Sequence, residues 1–373
     1  MLRKFSVSNY KNFEDEIVLD FANVRDYKFN SECVKDGLLN KTLLVGKNAS
    51  GKTNLAYALF DIVYTLTDNY HNPMQKDLGS FINGTEKAKE AKFRYEFQNG
   101  DSIISYKYNK IAPELMTYES LTVDGKTIFE FDYEKSIKKT DGLKIINAEK
   151  LNNINRLDGT ISALRVIANN TLQREGSPVS FIMIFVSKML YYRSCQDGNK
   201  FIGLMRNTTV IEQYIIRNGL EKDFERFLNE MTGMNIKLKT FKSPVSQNLV
   251  QVFPNKKELY FYPIASSGTI ALELYYYWSR SFKDISFLYI DEFDAYYHFE
   301  LSAKILQSTI KNVPVQTIFT SHNTMLVSNE YMRPDCCLKI DDGKISSFAD
   351  STTRELREGH NIEKMLRNGA FND

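Results

Sequence analysis

The residues with the clearest chemical meaning are eight consecutive positions that fit the pattern G-x-x-x-x-G-K-[ST]. In such a loop the glycines let the backbone turn tightly around a phosphate, the lysine reaches the β- and γ-phosphates, and the hydroxyl suits Mg²⁺. The loop lies between a short β-branched run, 41–45, and a helical pattern of apolar residues over 55–66, which is the context that this chemistry requires. We therefore predict a P-loop with ATP and Mg²⁺ as cofactors. Its predicted nucleotide-binding residues are Gly46, Lys47, Asn48, Ala49, Ser50, Gly51, Lys52, Thr53 and Asn54.

A second set of chemically capable residues ends the apolar run 287–290. Asp291 would hold Mg²⁺ together with Thr53, and Glu292 would polarise the attacking water. Standing alone, two carboxylates after a strand would equally suit a solvated turn, but beside a P-loop we interpret them as catalytic. Lys52 and Asp291 are more than half the chain apart, so the two halves of one site must flank a large inserted segment.

Two further polar groups stand at the ends of predicted elements. Ser266, Ser267 and Gly268 precede an apolar helix, where hydroxyl and N–H groups suit an anion, although a plain N-cap explains them equally well. His322 follows the apolar run 316–321. It is a candidate for contact with the γ-phosphate, and a structural role is the alternative.

The hydrophobic pattern predicts how these residues are positioned. Strands are expected over 2–10, 17–21 and 92–133, with turn signals at Asn99-Gly100 and Asp124-Gly125, and again over about 235–263. Helix, strand, helix and strand should then follow to about residue 340. Residues 146–234 have a helical pattern, and the apolar run 181–192 within them is predicted to be a buried helix.

The predicted fold class is α/β, with a P-loop on a mixed core sheet and an antiparallel β subdomain, split by a helical insertion. The family resemblance given below implies that this is an ABC-type ATPase head. The predicted boundaries are 1–145 for the N-terminal half of the head, 146–234 for the insertion and 235–373 for the C-terminal half.

Composition fits this interpretation. The 373 residues are 43% hydrophobic and 25% charged, with a net charge of +2, which excludes a disordered chain and gives no whole-protein attraction to nucleic acid. Four cysteines without metal-type spacing indicate reduced thiols, with Cys336 and Cys337 expected in the core or a strand. The N-terminus lacks an apolar signal segment, and no run is long enough to span a bilayer. We therefore expect a cytoplasmic protein without membrane contact.

The order of these motifs resembles the ABC-type ATPase head of the SMC, RecF and OLD proteins. Residues 46–53 are similar to the family's G-x-N-x-S-G-K-[ST], and residues 2–13 resemble its opening strand with an N-[FY]-K-x-F element. The stretch from Asp291 to His298 is similar to the D-E-x-D-x-x-x-H of OLD-like heads. The tail, 354–361 and Phe371, looks like that of a bacterial subgroup of AAA-type, RloA-like and abortive-infection ATP-binding proteins.

The resemblance implies a composite site in which ATP on one head is completed by the signature residues 266–268 of a second head. Asp294 would then be the D-loop residue, His322 the switch histidine, and Glu292 and Lys52 catalytic. The signature reads A-S-S-G-T rather than the L-S-G-G-Q of transporters, and no long heptad run is present. The Q-loop glutamine stays open between Gln75 and Gln98.

The leading functional prediction is an ATP-hydrolysing, dimerising head that serves a separate effector, such as a nuclease or toxin, in bacterial anti-phage defence. The alternatives are a RecF-like DNA-repair clamp and a nucleotide-gated scaffold with negligible turnover. A clamp needs a basic surface, for which the sequence offers Lys87, Lys89, Lys92 and Arg94; a solvated face explains the same run.

Overall fold

Two seven-stranded sheets organise the chain, one antiparallel and the other largely parallel. The computed structural model describes residues 1–68, 81–85, 87–151, 154–194, 199–204 and 210–371. Within them the strands are β1 (Leu2–Ser8), β2 (Ile17–Asp20), β3 (Val34–Lys35), β4 (Leu38–Leu39), β5 (Lys41–Val45), β6 (Ala91–Asn99), β7 (Ser102–Ala112), β8 (Leu115–Val123), β9 (Lys126–Asp132), β10 (Ile137–Lys139), β11 (Met189–Arg193), β12 (Phe201–Gly203), β13 (Leu238–Lys242), β14 (Gln247–Val252), β15 (Glu258–Tyr260), β16 (Phe287–Asp291), β17 (Gln316–Ser321), β18 (Cys337–Asp341) and β19 (Lys344–Ser347). The α-helices are α1 (Lys52–Leu66), α2 (Ala163–Asn170), α3 (Pro178–Ser187), α4 (Ile211–Arg217), α5 (Glu221–Thr232), α6 (Phe261–Ile264), α7 (Ser267–Ser279), α8 (Phe299–Asn312) and α9 (Ile362–Arg367).

The antiparallel sheet has the order β10-β9-β8-β7-β6-β1-β2. Its strands alternate buried and more exposed residues, as expected where one face covers the core and the other meets solvent. The β8–β9 hairpin turns at Asp124 and Gly125, whose φ angles of 48° and 77° suit a two-residue turn of the mirror-image type. The predicted strands and both predicted hairpins are confirmed.

The central sheet has the order β12-β11-β16-β17-β5-β18-β19, and its five inner strands run parallel. Parallel strands are covered on both faces, which explains why β5, β16 and β17 are buried at every residue. Because the strands are parallel, their carboxyl ends share one edge of the sheet. The predicted α/β fold class, with a P-loop core sheet beside an antiparallel sheet, is confirmed.

Helix α1 lies between the two sheets and is buried around most of its circumference. Polar contacts fix it to the antiparallel sheet: the Tyr95 hydroxyl donates to the Ala58 carbonyl at 3.0 Å, and Asp61 accepts from the Tyr108 hydroxyl at 2.8 Å and the Lys110 ammonium at 2.7 Å. Asp61 and Lys110 are both buried, so each charge relies on the other for compensation. These bonds therefore fix the position of α1, the helix that follows the P-loop, relative to the antiparallel sheet.

The segment predicted as a helical insertion, 146–234, requires a correction. It contains α2 to α5, but residues 189–193 and 201–203 form β11 and β12 inside the central sheet. The apolar run predicted as one buried helix is a helix to Ser187 followed by a strand from Met189. A fully buried strand lacks alternation, so its pattern merges with that of an adjoining buried helix.

The remaining predictions about burial and membranes concern individual side chains and helices. Cys33, Cys336 and Cys337 are buried free thiols, and Cys337 begins β18, which confirms the predicted core or strand position. Cys195 lies outside the described residues. Within the described part of the chain, every helix is too short or too polar to cross a membrane.

Candidate functional site

The P-loop connects β5 to α1, as predicted, and its glycines are required by close contacts. A Cβ on Gly46 would lie 2.6 Å from the Ile340 side chain and 2.8 Å from the Ser50 hydroxyl. Gly51 has a φ of 101°, and a Cβ there would lie 2.6 Å from the Asn12 amide. These positions admit only glycine, and the loop backbone is thereby left open to a ligand.

Lys52 begins α1 and folds its ammonium back over the loop. Its Nζ donates to the carbonyls of Gly46 at 2.7 Å and Lys47 at 3.0 Å, and it lies 3.2 Å from Nδ1 of His322. Burial lowers the pKa of Lys52, opposed by the negative charges of Asp291, Glu292 and Asp294. The ammonium thus stands between the loop, the histidine and the carboxylates.

Asp291, the last residue of β16, is fully buried and held by three hydroxyl groups. Oδ2 accepts from the Thr53 hydroxyl at 2.8 Å and from Tyr191 at 3.2 Å, and Oδ1 accepts from Thr320 at 2.6 Å. The predicted pairing of Thr53 with Asp291, more than half the chain apart, is therefore a direct contact in the structure.

Glu292 follows Asp291 in a left-handed conformation, with a φ of 49°. Its N–H donates to the Thr320 hydroxyl at 2.8 Å, which holds the turn. Oε2 accepts from Nε and Nη2 of Arg193 at 3.1 and 2.7 Å, while Oε1 lies 3.8 Å from Nε2 of His322. One carboxylate oxygen is bound to arginine, and the other faces the histidine.

His322 and Asp294 complete this edge of the sheet. Since the Lys52 ammonium can only donate, Nδ1 of His322 accepts from it, which leaves the ring proton on Nε2, facing Glu292. Asp294 accepts from the Ser321 hydroxyl at 2.6 Å, and burial raises the pKa of this carboxyl group. The structure therefore brings the P-loop, both carboxylates and the histidine together.

The signature residues lie apart from this cluster. The Ser266 hydroxyl accepts from the Thr269 N–H at 3.2 Å and caps α7, as the plain N-cap interpretation predicted. A Cβ on Gly268 would lie 2.9 Å from the carbonyl of Tyr296 in the turn after Asp294. Among the described residues, no hydrogen bond joins residues 266–268 to the P-loop of the same chain. Ser266 and Ser267 are exposed.

The residues present fit a magnesium nucleotide. Helix α1 begins without a side-chain cap, and within the described residues no side chain accepts from the N–H groups of its first turn. The Ser50 hydroxyl is buried and has no hydrogen-bond partner within the described residues. Free N–H groups, a hydroxyl and an ammonium suit phosphate oxygens, and the oxygen donors of Thr53 and Asp291 suit Mg²⁺.

Several site residues were missed by the sequence analysis: Asn12, Tyr191, Arg193 and Thr320. The Asn12 side chain accepts from the Asn54 amide at 2.6 Å and lies against Gly51. Arg193 and Thr320 could have been predicted from their position in the sequence, because each stands at or next to the carboxyl end of an apolar run. Of the two Q-loop candidates, Gln98 lies at the end of β6 and donates to the Asp36 carbonyl, away from this cluster, whereas Gln75 lies outside the described residues.

Comparison with known proteins gives structural neighbours only. No family model and no curated protein matches the sequence. An SMC head bound to the C-winged helix domain of ScpA is 15% identical, with 98% of this chain and 99% of that chain covered and a TM-score of 0.45. The SMC head domain from Thermotoga maritima is 13% identical over 93% and 98%, with a TM-score of 0.41. An Smc head with an extended coiled coil, bound to the C-terminal domain of ScpA and derived from Pyrococcus furiosus, is 14% identical over 99% and 98%, with a TM-score of 0.46. At identities and TM-scores this low, the likeness carries no information about the chemistry of the site. That chemistry rests on the contacts within this chain.

Proposed function

We propose that this chain is an ATP-binding head that hydrolyses ATP with Mg²⁺. The observation that carries this proposal is the contact between the Thr53 hydroxyl and Asp291 at 2.8 Å, with Lys52, Glu292 and His322 at the same edge. A phosphate loop, an oxygen pair for Mg²⁺ and a carboxylate that can accept a proton from water are the parts that phosphoryl transfer to water needs.

Each residue has a distinct task in this scheme. ATP would supply the phosphoanhydride bond and Mg²⁺ the positive charge that neutralises its phosphates. Lys52 and the N–H groups of the loop would bind phosphate oxygens, while Thr53 and Asp291 would hold the ion. Oε1 of Glu292 would orient water and accept its proton, and the N–H at Nε2 of His322 would donate a hydrogen bond beside it.

The binding role of Lys52 is tested by Lys52→Ala. Removing the ammonium should weaken ATP binding roughly tenfold to a hundredfold, because a charged hydrogen-bond donor to phosphate is lost. Binding can be measured by calorimetry or with a fluorescent ATP analogue. Lys135→Ala, at an exposed lysine paired with Asp132, is the control and should bind ATP normally. Unchanged affinity in Lys52→Ala would contradict the assignment of the loop.

We further propose that two copies form the complete site. Ser266 and Ser267 are exposed and do not reach their own P-loop, while Tyr262, Ile264 and Tyr296 beside them expose about two-fifths of their surface (39%, 41% and 44%). Exposed apolar side chains around a polar segment favour association. A second head would bring Ser266, Ser267 and Gly268 to the nucleotide and place Asp294 near the interface.

The biological setting is proposed from the sequence resemblance alone. The tail residues 354–361 and Phe371 favour the bacterial RloA-like and abortive-infection subgroup, and hence a separate effector such as a nuclease or toxin in anti-phage defence. Co-purification of the chain with the product of a neighbouring gene, altered by ATP, would test this.

The outer face of the antiparallel sheet supports the DNA-clamp alternative less well than the site supports an ATPase head. Arg94 and Lys107 are cross-strand neighbours there, but Lys92 lies 3.9 Å from Glu90, and other basic residues of the sheet also pair with carboxylates. A face that carries both basic and acidic side chains does not concentrate the positive potential that binding of duplex DNA needs. DNA binding that requires ATP and weakens with salt would favour the clamp.

A further inference from the structure

Arg193 is the only described arginine bonded to Glu292, and its position is set by the central sheet. It ends β11, which pairs in parallel with β16 so that Arg193 lies opposite Asp291. Its side chain is about one-fifth exposed (21%), and both Nε and Nη2 donate to one oxygen, Oε2 of Glu292. An arginine fork on a single carboxylate oxygen fixes where that oxygen lies and leaves the second oxygen available.

The rest of Glu292 is constrained from the opposite side. Thr320 accepts from its N–H, and the residue has the left-handed backbone conformation that non-glycine residues adopt at a cost. With the backbone held by β17 and Oε2 held by β11, Oε1 is directed toward His322, 3.8 Å away. This distance is too long for a direct hydrogen bond, so Oε1 can still accept a hydrogen bond from another donor.

Arg193 also lies near Asp291, but that contact is weaker. The distance from Nε to Oδ2 of Asp291 is 3.9 Å, and Asp291 already accepts from the hydroxyls of Thr53, Tyr191 and Thr320. The principal partner of Arg193 is therefore the glutamate.

We propose that Arg193 is a positioning residue for ATP hydrolysis: it holds Oε2 of Glu292 so that Oε1 stays directed at the water that Glu292 activates. This inference rests on the proposed ATPase function. Without Arg193 the glutamate side chain rotates away from the required direction, ATP still binds, and the hydrolytic step slows. Such displacements of a catalytic group cost rate rather than affinity.

The test compares Arg193→Met, Arg193→Lys, Glu292→Gln and the double variant Arg193→Met/Glu292→Gln in the full chain. Arg193→Met should lower kcat roughly tenfold to a hundredfold and leave the Kd for ATP within about twofold. Arg193→Lys, which keeps one charged donor, should recover part of kcat. In the Glu292→Gln background, Arg193→Met should produce no further loss. Arg280→Met is the matched control, because Arg280, which follows the last residue of α7, pairs with Asp223 of α5 at 3.1 Å and should leave kcat unchanged.

A second measurement follows the contact itself without nucleotide. In chemical unfolding of the nucleotide-free protein, each single variant should lower the midpoint, and the double variant should lower it by less than the sum of the two shifts. Additive shifts would show that the pair is not coupled and would overturn the proposal.

Three other outcomes would also overturn it. These are an unchanged or raised kcat in Arg193→Met, a further loss in the Glu292→Gln background, and a raised Mg²⁺ requirement with kcat restored at high Mg²⁺, which would assign Arg193 to Asp291. Each leaves the ATPase function standing. By contrast, absence of ATP turnover in the unaltered chain would refute the proposed function.

Discussion

At the scale of single residues, the site is organised around the hydroxyl of Thr320. This one group donates to Oδ1 of Asp291 at 2.6 Å and accepts from the N–H of Glu292 at 2.8 Å. It therefore fixes the relative orientation of the carboxylate proposed for Mg²⁺ and the one proposed for water. Asp291 and Thr320 are fully buried, so solvent cannot replace the bond between them.

Thr320→Val should therefore destabilise the protein far more than the small change in the side chain suggests. The change keeps the shape but leaves Oδ1 of the fully buried Asp291 without its donor and the Glu292 N–H without its acceptor, and we expect the free energy of unfolding to fall by about 3 kcal/mol. Denaturant unfolding at equilibrium measures this.

Thr317→Val is the matched control on the same strand. Its hydroxyl donates to the Val315 carbonyl at 2.8 Å, and that carbonyl keeps its bond from the Lys41 ammonium at 2.6 Å. We expect a loss of about 1 kcal/mol or less. Equal losses in the two variants would show that Thr320 has no special role.

At the scale of elements, helix α7 carries the signature residues and a buried acid, Glu273. The Tyr262 hydroxyl donates to Oε2 at 2.6 Å, while Oε1 has no hydrogen-bond partner within the described residues. Burial raises the pKa of Glu273 from 4.5 to about 7, with the tyrosine bond opposing the rise. The folded protein therefore keeps this proton at pH values where the unfolded chain has released it.

The stability that depends on Glu273 should fall as the pH rises from about 4.5 to about 7, because there the folded state binds more protons than the unfolded state. The side chain of Glu273→Gln stays neutral at every pH. Between about pH 5 and pH 8, the free energy of unfolding of this variant should therefore rise relative to that of the unaltered protein, by up to about 3 kcal/mol.

Glu175→Gln, at an exposed carboxylate before α3, is the control for this pH series and should follow the unaltered protein. A difference between Glu273→Gln and the unaltered protein that is the same at both pH values would contradict the assignment of a buried, protonated acid.

The elements also show how far the sequence could predict this site. The P-loop, Asp291, Glu292 and His322 could be predicted as site residues because each stands in a motif or after an apolar strand. Arg193 was missed because the apolar residues of α3 and β11 form one run, 181–192, in which Ser187 and Lys188 mark the change from helix to strand. Only pairing with β16 reveals that β11 belongs to the central sheet, and pairing between distant segments is not encoded in local periodicity.

At the scale of the whole molecule, one edge of the central sheet collects residues from the first, middle and last parts of the chain. Residues 46–54 follow β5, Arg193 ends β11, and Asp291 and His322 come from the ends of β16 and β17. The middle segment was predicted to be a helical insertion between the two halves of the head, yet it supplies both a core strand and a side chain to the site. The signature residues are the exception: Ser266 and Ser267 are exposed to solvent, and we propose that they act on the nucleotide of a second copy.

The most direct test of the central claim is the behaviour of Glu292→Gln with ATP and Mg²⁺, followed by light scattering and by phosphate release on the same sample. We expect ATP to bind, turnover to fall at least about a hundredfold, and a dimer to persist that the unaltered chain forms only transiently. Phosphate release by Glu292→Gln at the rate of the unaltered chain would contradict the assignment of Glu292 and with it the account of this site.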